Sequence, residues 1–112
     1  MNYTEDILVK DYFKVHDFYS KIYGTGKTII AMRVGSFYEI YNNNTKGLRH
    51  LESLAQEINV VCTSKKGDVD ISEKNWRMVG FPFHTIDNFI EKIVNLNYTV
   101  VIVDQIIVKD KD

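Results

Sequence analysis

Two rhythms of hydrophobic and polar positions run along this chain, one of three to four residues and one of two. Leu8, Tyr12, Val15, Tyr19 and Ile22 recur at steps of four and three, the stripe of a helix from about Thr4 to Tyr23. Thr4 suits its cap, Glu5 and Asp6 its positive end, and Gly24 its stop. Its aromatic residues, Tyr12, Phe13, Phe18, Tyr19 and Tyr23, fit core packing better than a binding surface. Thr28 to Val34 then has the length and composition of a strand. Gly35-Ser36 makes a turn, and Phe37 to Tyr41 continues as the second arm of a hairpin.

Asn42 to Thr45 reads as a polar turn, after which Leu48, Leu51, Leu54, Ala55 and Ile58 mark the apolar face of a second helix. Val60 to Ser64 predicts a short strand leading into Lys65-Lys66-Gly67, and Asp68 to Asn75 a flexible polar loop. Trp76 to Phe81 is extended and ended by Pro82. Thr85 is placed to cap a third helix with Ile86, Phe89, Ile90, Ile93 and Val94 inward. Tyr98 to Val108 is a continuous apolar run apt for a buried strand. Helices interleaved with strands in this order predict an α/β fold class: a single domain, residues 1–112, with a mixed β-sheet and about three to four helices packed around it. The last helix and strand predict a right-handed crossover into the centre of the sheet.

At 112 residues and 13.1 kDa the chain has room for one core and not for a second. Hydrophobic residues at 45% and charged residues at 26% exclude a collagen, a disordered tail and a disulfide scaffold. The net charge of -1 carries no general sign of a nucleic-acid binder, so any such function must rest on particular residues. The single Cys62 forms no internal disulfide and fits a reducing compartment. No signal peptide is visible, and the longest apolar run is broken by Asp104 and Gln105, too soon to span a bilayer. The expectation is an intracellular protein with no membrane partner. Eleven Lys against three Arg, thirteen Ile against two Ala, and nine Asn are the residues of A/T-rich codons.

Most candidate chemistry fails on spacing. Gly24-Thr25-Gly26-Lys27-Thr28 looks like the end of a phosphate-binding loop, but the first glycine of that motif would fall on Lys21. A helix precedes it and a strand follows, the reverse of what phosphate binding needs, so it reads as a plain turn. His16, His50, His84 and Cys62 lack metal-ligand spacing, and no nucleophile elbow is present. Asp68 and Asp70, in a polar loop with lysines nearby, read as solvated acids. The sequons at Asn2, Asn43 and Asn97 mean nothing without secretion. No catalytic residue, metal site or cofactor is expected, and the chain makes a poor enzyme.

Gly35-Ser36-Phe37-Tyr38-Glu39 is different. Strand alternation puts Phe37 and Glu39 on one face near a turn, and a carboxylate is costly in a core unless paired. Either Phe37 packs inward while Glu39 escapes at the sheet edge, or the two form an exposed reading head, a stacking ring beside a hydrogen-bond acceptor.

Here the chain resembles the N-terminal mismatch-recognition domain of the MutS DNA mismatch repair proteins, from about Tyr12 to the final strand. Gly35-Ser36-Phe37-Tyr38-Glu39 is similar to that family's Gly-x-Phe-Tyr-Glu, and Thr63-Ser64-Lys65-Lys66-Gly67 to its Thr-Lys-Arg-Gly. Met78-Val79-Gly80-Phe81-Pro82-Phe83-His84 resembles its Met-x-Gly-Ile-Pro-Tyr-His, and Asp104-Gln105-Ile106 its Glu-Gln-Ile. Ser36 departs from the acidic residue common before the phenylalanine.

The resemblance implies a non-enzymatic module that binds double-stranded DNA carrying a mismatch or small loop. Phe37 would enter the minor groove and stack on the mispaired base, and Glu39 would hydrogen-bond it. Lys65 and Lys66 would hold the backbone, with Arg77 and Met78 as groove neighbours. Gly80 and Pro82 would shape a turn, and His84 would cap or pack. The rest of a MutS-like chain and its dimer partner are the protein partners implied. The ATPase and clamp domains lie outside this chain, so ATP and Mg would belong to the ATPase domain only. The competing expectation is a protein-interaction domain that keeps the fold without mismatch recognition.

Overall fold

The computed structural model describes residues 5–67 and 69–104. Its first turns follow from glycine. Gly24, at φ 121°, stops helix α1 (Glu5–Tyr23), and strand β1 (Thr28–Val34) begins four residues later. Gly35, at φ 61°, opens the two-residue turn that a tight hairpin requires before β2 (Phe37–Asn42). Helix α2 (Leu51–Glu57), strands β3 (Cys62–Ser64) and β4 (Arg77–Pro82), a 3-10 turn at Phe83–Thr85, helix α3 (Ile86–Asn95) and strand β5 (Thr99–Val103) complete the order.

The strands form one mixed sheet in the order β3-β4-β2-β1-β5, antiparallel throughout except for the parallel pair β1 and β5. Helix α1 lies on one face. There the Tyr12 hydroxyl donates to the Ile30 carbonyl at 2.8 Å, and the Tyr12 ring meets Tyr41 edge to face with centroids 5.0 Å apart. Helices α2 and α3 cover the other face, where Ile40, Val79 and Phe81 are buried and Phe89 of α3 stacks on Phe81 at 4.4 Å. Leu48, Leu51, Leu54, Ala55 and Ile58 are all buried, although the helix is shorter than the spacing predicts and Leu48 and Ile58 flank it. This is the α/β architecture expected from the order of elements.

Several expectations need correction. Ile22, assigned to the inner stripe of α1, is 58% exposed. The buried residues are Leu8, Val9, Tyr12, Phe13 and Ser20, and seven residues make two turns, so Ser20 lies beneath Phe13 while Ile22 is turned about 200° away from Ser20. Val94 of α3 is likewise exposed, and Ile93 alone of that helix is fully buried. Thr85 makes no side-chain cap, because the 3-10 turn runs straight into α3; its hydroxyl donates instead to the Pro82 carbonyl at 2.7 Å. Asn42 is the last residue of β2 and buried, so the polar turn starts at Asn43, whose side-chain oxygen accepts the Thr45 and Lys46 amides.

Strand β5 sits at the edge of the described sheet and not at its centre. One side of β1 is taken by β2 and the far side of β2 by β4, so the only open side of β1 is outermost. The residues of β5 are accordingly part-buried, and Ile102 is exposed. Residues 105–108 of the expected strand, and Thr4 as a cap, lie outside the described residues.

Tyr12 ties α1 to the sheet by its hydroxyl and sits fully buried. Tyr12→Phe keeps the ring and leaves the Ile30 carbonyl without that partner. Urea unfolding is expected to show a loss of about 1–3 kcal/mol with an unchanged slope.

Candidate nucleic-acid interface

The pairing of β2 with its neighbours decides which side chains meet. Phe37 lies opposite Pro82, Glu39 opposite Gly80 and Tyr41 opposite Met78, while on the other side Phe37 pairs with Val34 and Glu39 with Met32. Thr63 of β3 is opposite Met78. Residues directly opposite share a face, so Phe37, Glu39, Gly80, Met78 and Thr63 stand on one surface, the same face that α1 covers further along.

Phe37 is the first residue of β2, and its ring is 45% exposed. The turn that carries it is held at both residues. The Ser36 carbonyl accepts the Phe83 amide at 2.9 Å, and the Gly35 carbonyl accepts Arg33 Nε–H at 3.0 Å. The Arg33 guanidinium lies 4.1 Å from the centroid of the Phe83 ring, a cation–π contact that closes the brace. The ring therefore projects from a fixed backbone.

A depression of about 280 Å³ beside it is lined by Phe37, Glu39, Val61, Thr63, Met78 and Gly80. A second, of about 310 Å³, shares Glu39, Thr63 and Met78 and continues to Lys65 and Trp76. Gly80 keeps the space open: a Cβ there would stand 3.3 Å from Met78 Sδ and 3.8 Å from Glu39 Cγ. Gly80 is thus inside strand β4 and shapes no turn, whereas Pro82 ends the strand and stands at the start of the 3-10 turn, where its carbonyl accepts the Thr85 hydroxyl. His84 is exposed in the 3-10 turn, its ring edge-on to Phe83.

Glu39 is half-buried, and the Tyr41 hydroxyl donates to its Oε1. Burial first, and then this carboxylate, push the Tyr41 hydroxyl well above the ordinary tyrosine range. On the opposite face, the Tyr38 hydroxyl donates to Asp104, which raises its pKa in the same direction.

Lys65 Nζ lies 2.6 Å from Glu5 Oε1 and 5.3 Å from the Trp76 ring centroid. Lys66 is exposed on the same loop. That loop is organised by Asn75, which is 1% exposed and ends a segment whose polar composition predicts flexibility. Its side-chain oxygen accepts the Lys66 amide at 2.6 Å, and its amide group donates to the carbonyls of Val69 and Asp70. Arg77 does not join the group. It stands on the other face of β4 and pairs with Glu52 of α2 at 3.4 Å. The structure therefore brings Phe37, Glu39, Met78 and Lys65 along one groove, holds Lys66 beside its end, and points Arg77 away. Tyr41 and Gly80 are the members of the surface that sequence reasoning missed, although strand alternation from Glu39 reaches Tyr41 directly.

Fold and surface together define an α/β domain that presents an aromatic ring and a carboxylate from one sheet face. The family model for MutS domain I matches residues 13–112. The DNA mismatch repair protein MutS of Methanosarcina barkeri is 29% identical over 79 residues, which cover 70% of this chain and 8% of that protein. MutS of Persephonella marina is 29% identical over 99 residues, covering 88% of this chain and 10% of that protein. MutS of Dehalococcoides mccartyi is 26% identical over 80 residues, 71% of this chain and 8% of that protein. The chain belongs to the MutS family, as its domain I. It spans no more than about a tenth of the length of these relatives. No helix among the described residues is long and apolar enough to cross a membrane.

Asn75→Ala would strand the Lys66 amide and two carbonyls. Amide hydrogen exchange is expected to accelerate at Lys66 and the adjacent loop while the β2 amides keep their protection. The overall stability loss is expected to be about 1–3 kcal/mol.

Proposed function

We propose that this chain is the lesion-sensing surface of a MutS mismatch repair protein: Phe37 enters the minor groove and stacks on a mispaired or unpaired base, and Glu39 accepts a hydrogen bond from that base. The observation that carries this is the exposed ring at the tip of a braced hairpin, two residues from a carboxylate on the same face and beside the gap at Gly80. A folding domain gains nothing by holding a phenylalanine in water. The ring is positioned for a partner with a flat apolar face.

A DNA base is such a partner. Unstacking a base step costs roughly a few kcal/mol, and least where pairing is already broken. Stacking a base on an aromatic side chain returns about 1–3 kcal/mol whichever base it is. The selection is therefore for a site that deforms easily, and kinked DNA is the product. Lys65 and Lys66 hold the phosphate backbone beside the groove, and Met78 packs along its floor. Lys65 is free to exchange its exposed partner Glu5 for a phosphate, since such surface pairs contribute little. Arg77, paired with Glu52 on the other face, is left out of this surface. The rest of a MutS chain and its dimer partner supply the remaining contacts, and ATP with Mg acts there and not on this domain.

With a net charge of -1 the chain binds any DNA weakly, so the test is a competition at low salt. A duplex with one mismatch is compared with its fully paired counterpart. The wild-type chain is expected to prefer the mismatch, and Phe37→Ala to lose most of that preference, about 1–3 kcal/mol. A preference that survives in Phe37→Ala, or equal binding of both duplexes by the wild type, overturns the reading. Gly80→Val, which fills the gap beside Glu39, is expected to lower affinity for the mismatched duplex severalfold and to leave the paired duplex unaffected.

A further inference from the structure

Among the described residues the carboxylate of Glu39 has one hydrogen-bond partner, the Tyr41 hydroxyl on Oε1, so Oε2 is the acceptor left beside the groove. Tyr41 is itself fixed. Its ring is buried, it meets Tyr12 edge to face at 5.0 Å, and Tyr12 is anchored to the Ile30 carbonyl. A phenol has a single proton, and here it is committed to Oε1. The charged and titratable groups that face Glu39 are few. Helix α1 offers Glu5 and the buried Tyr12, the loop after β3 offers Lys65 already paired with Glu5, and β2 offers Tyr41. Strand β4 contributes only Met78 and Gly80, and β1 only Met32 and Val34. Arg77 and Asp104 belong to the other face.

We propose that Tyr41 is a positioning residue that sets which bases Glu39 accepts. By holding Oε1 it fixes the carboxylate in one orientation with Oε2 turned to the groove as the acceptor, so a stacked base that offers a ring N–H is favoured. Thymine and guanine carry such an imide N–H on the pairing edge. Cytosine and adenine carry a bare ring nitrogen there, whose lone pair opposes the carboxylate. The aromatic ring does not make this distinction, because thymine and cytosine stack alike. Tyr41 thus adds a choice between bases to a wedge that selects only for deformability. The inference rests on the assignment of Phe37 and Glu39 proposed above, and the experiment separates the two.

The experiment measures binding of the chain to one duplex carrying a single unpaired thymine, the same duplex carrying a single unpaired cytosine, and the fully paired form. The wild type is expected to favour thymine over cytosine about tenfold, the scale of one hydrogen bond to a charged group. Tyr41→Phe keeps the ring against Tyr12 but frees the carboxylate to turn. Its thymine-to-cytosine ratio is expected to fall to about twofold, while its preference for either unpaired base over the paired duplex persists. Tyr12→Phe, which loses a buried hydroxyl that does not touch Glu39, is expected to keep the wild-type ratio. An equal fall in Tyr12→Phe, an unchanged ratio in Tyr41→Phe, or a wild-type ratio of one overturns the role of Tyr41. Should Phe37→Ala keep the preference for unpaired bases, the wedge reading falls and takes this inference with it. Independently of any variant, the hydroxyl proton of Tyr41 is expected to remain visible and slow to exchange by NMR in the thymine complex, and its loss there overturns the proposal.

Discussion

The register between β2 and β4 is the constraint on which the rest of this surface depends. Glu39 faces Gly80, and with it Phe37 faces Pro82 and Tyr41 faces Met78. Side chains on a strand alternate with a period of two, so a slip of one residue would send Phe37 and Glu39 to the face covered by α2 and α3 and bring Tyr38 and Ile40 to the face that carries the groove. Two features prevent it. Tyr38 and Ile40 are buried on the far side, so a slip would expose them. The Phe83 amide is also bound to the Ser36 carbonyl, which locks the hairpin tip to the end of β4. The pattern that folds the sheet is therefore the pattern that aims the ring.

That ring is held at an energetic disadvantage. Burying a phenylalanine fully contributes about 1.5–3 kcal/mol relative to leaving it exposed, and Phe37 forgoes a large part of this. The neighbouring contacts offset it locally. The Arg33 guanidinium lies over Phe83, and its Nε–H satisfies the Gly35 carbonyl, so the turn beneath the exposed ring is well supported. A similar logic connects the core to the carboxylate. Tyr12 bonds the sheet backbone, Tyr41 packs on Tyr12, and the Tyr41 hydroxyl reaches Glu39. A polar group at the rim of the core is acceptable because each member of the chain is hydrogen-bonded.

The elements were legible in the sequence where one periodicity dominated. The hairpin at Gly35 and the apolar face of α2 follow from alternation and from the spacing of Leu51, Leu54, Ala55 and Ile58. Failures came where tertiary context outweighed the local pattern. Strand β5 is apolar enough to be central, but position in a sheet is settled by which strand edges are already taken. The loop before β4 looked loose because its composition is polar, whereas one buried side chain, Asn75, supplies three hydrogen bonds that no propensity reveals. Within the surface, Phe37, Glu39, Lys65 and Met78 could be named in advance. Arg77 could not be sorted from Met78 by proximity in sequence, since adjacent strand residues point to opposite faces and the face follows only from pairing. Glycine commonly marks a turn, and the sequence predicts one at Gly80; its use as a gap requires knowing that Glu39 stands opposite.

The electrostatics explain why such a surface is selective before it is tight. Counterion release drives most DNA affinity, and a chain of net charge -1 whose nearest groove lysine already faces Glu5 has little of it to offer. On the proposed reading, Glu39 in the groove opposes the phosphates of every duplex alike. On that reading the penalty is common to paired and mispaired DNA, and the compensating bond to a displaced base forms only when the base has left its partner and stacked on Phe37. The shared cost lowers affinity for both substrates, and the conditional gain alone separates them. In the proposed mechanism the ring finds the step that opens easily, and the penalty of the carboxylate is offset only there.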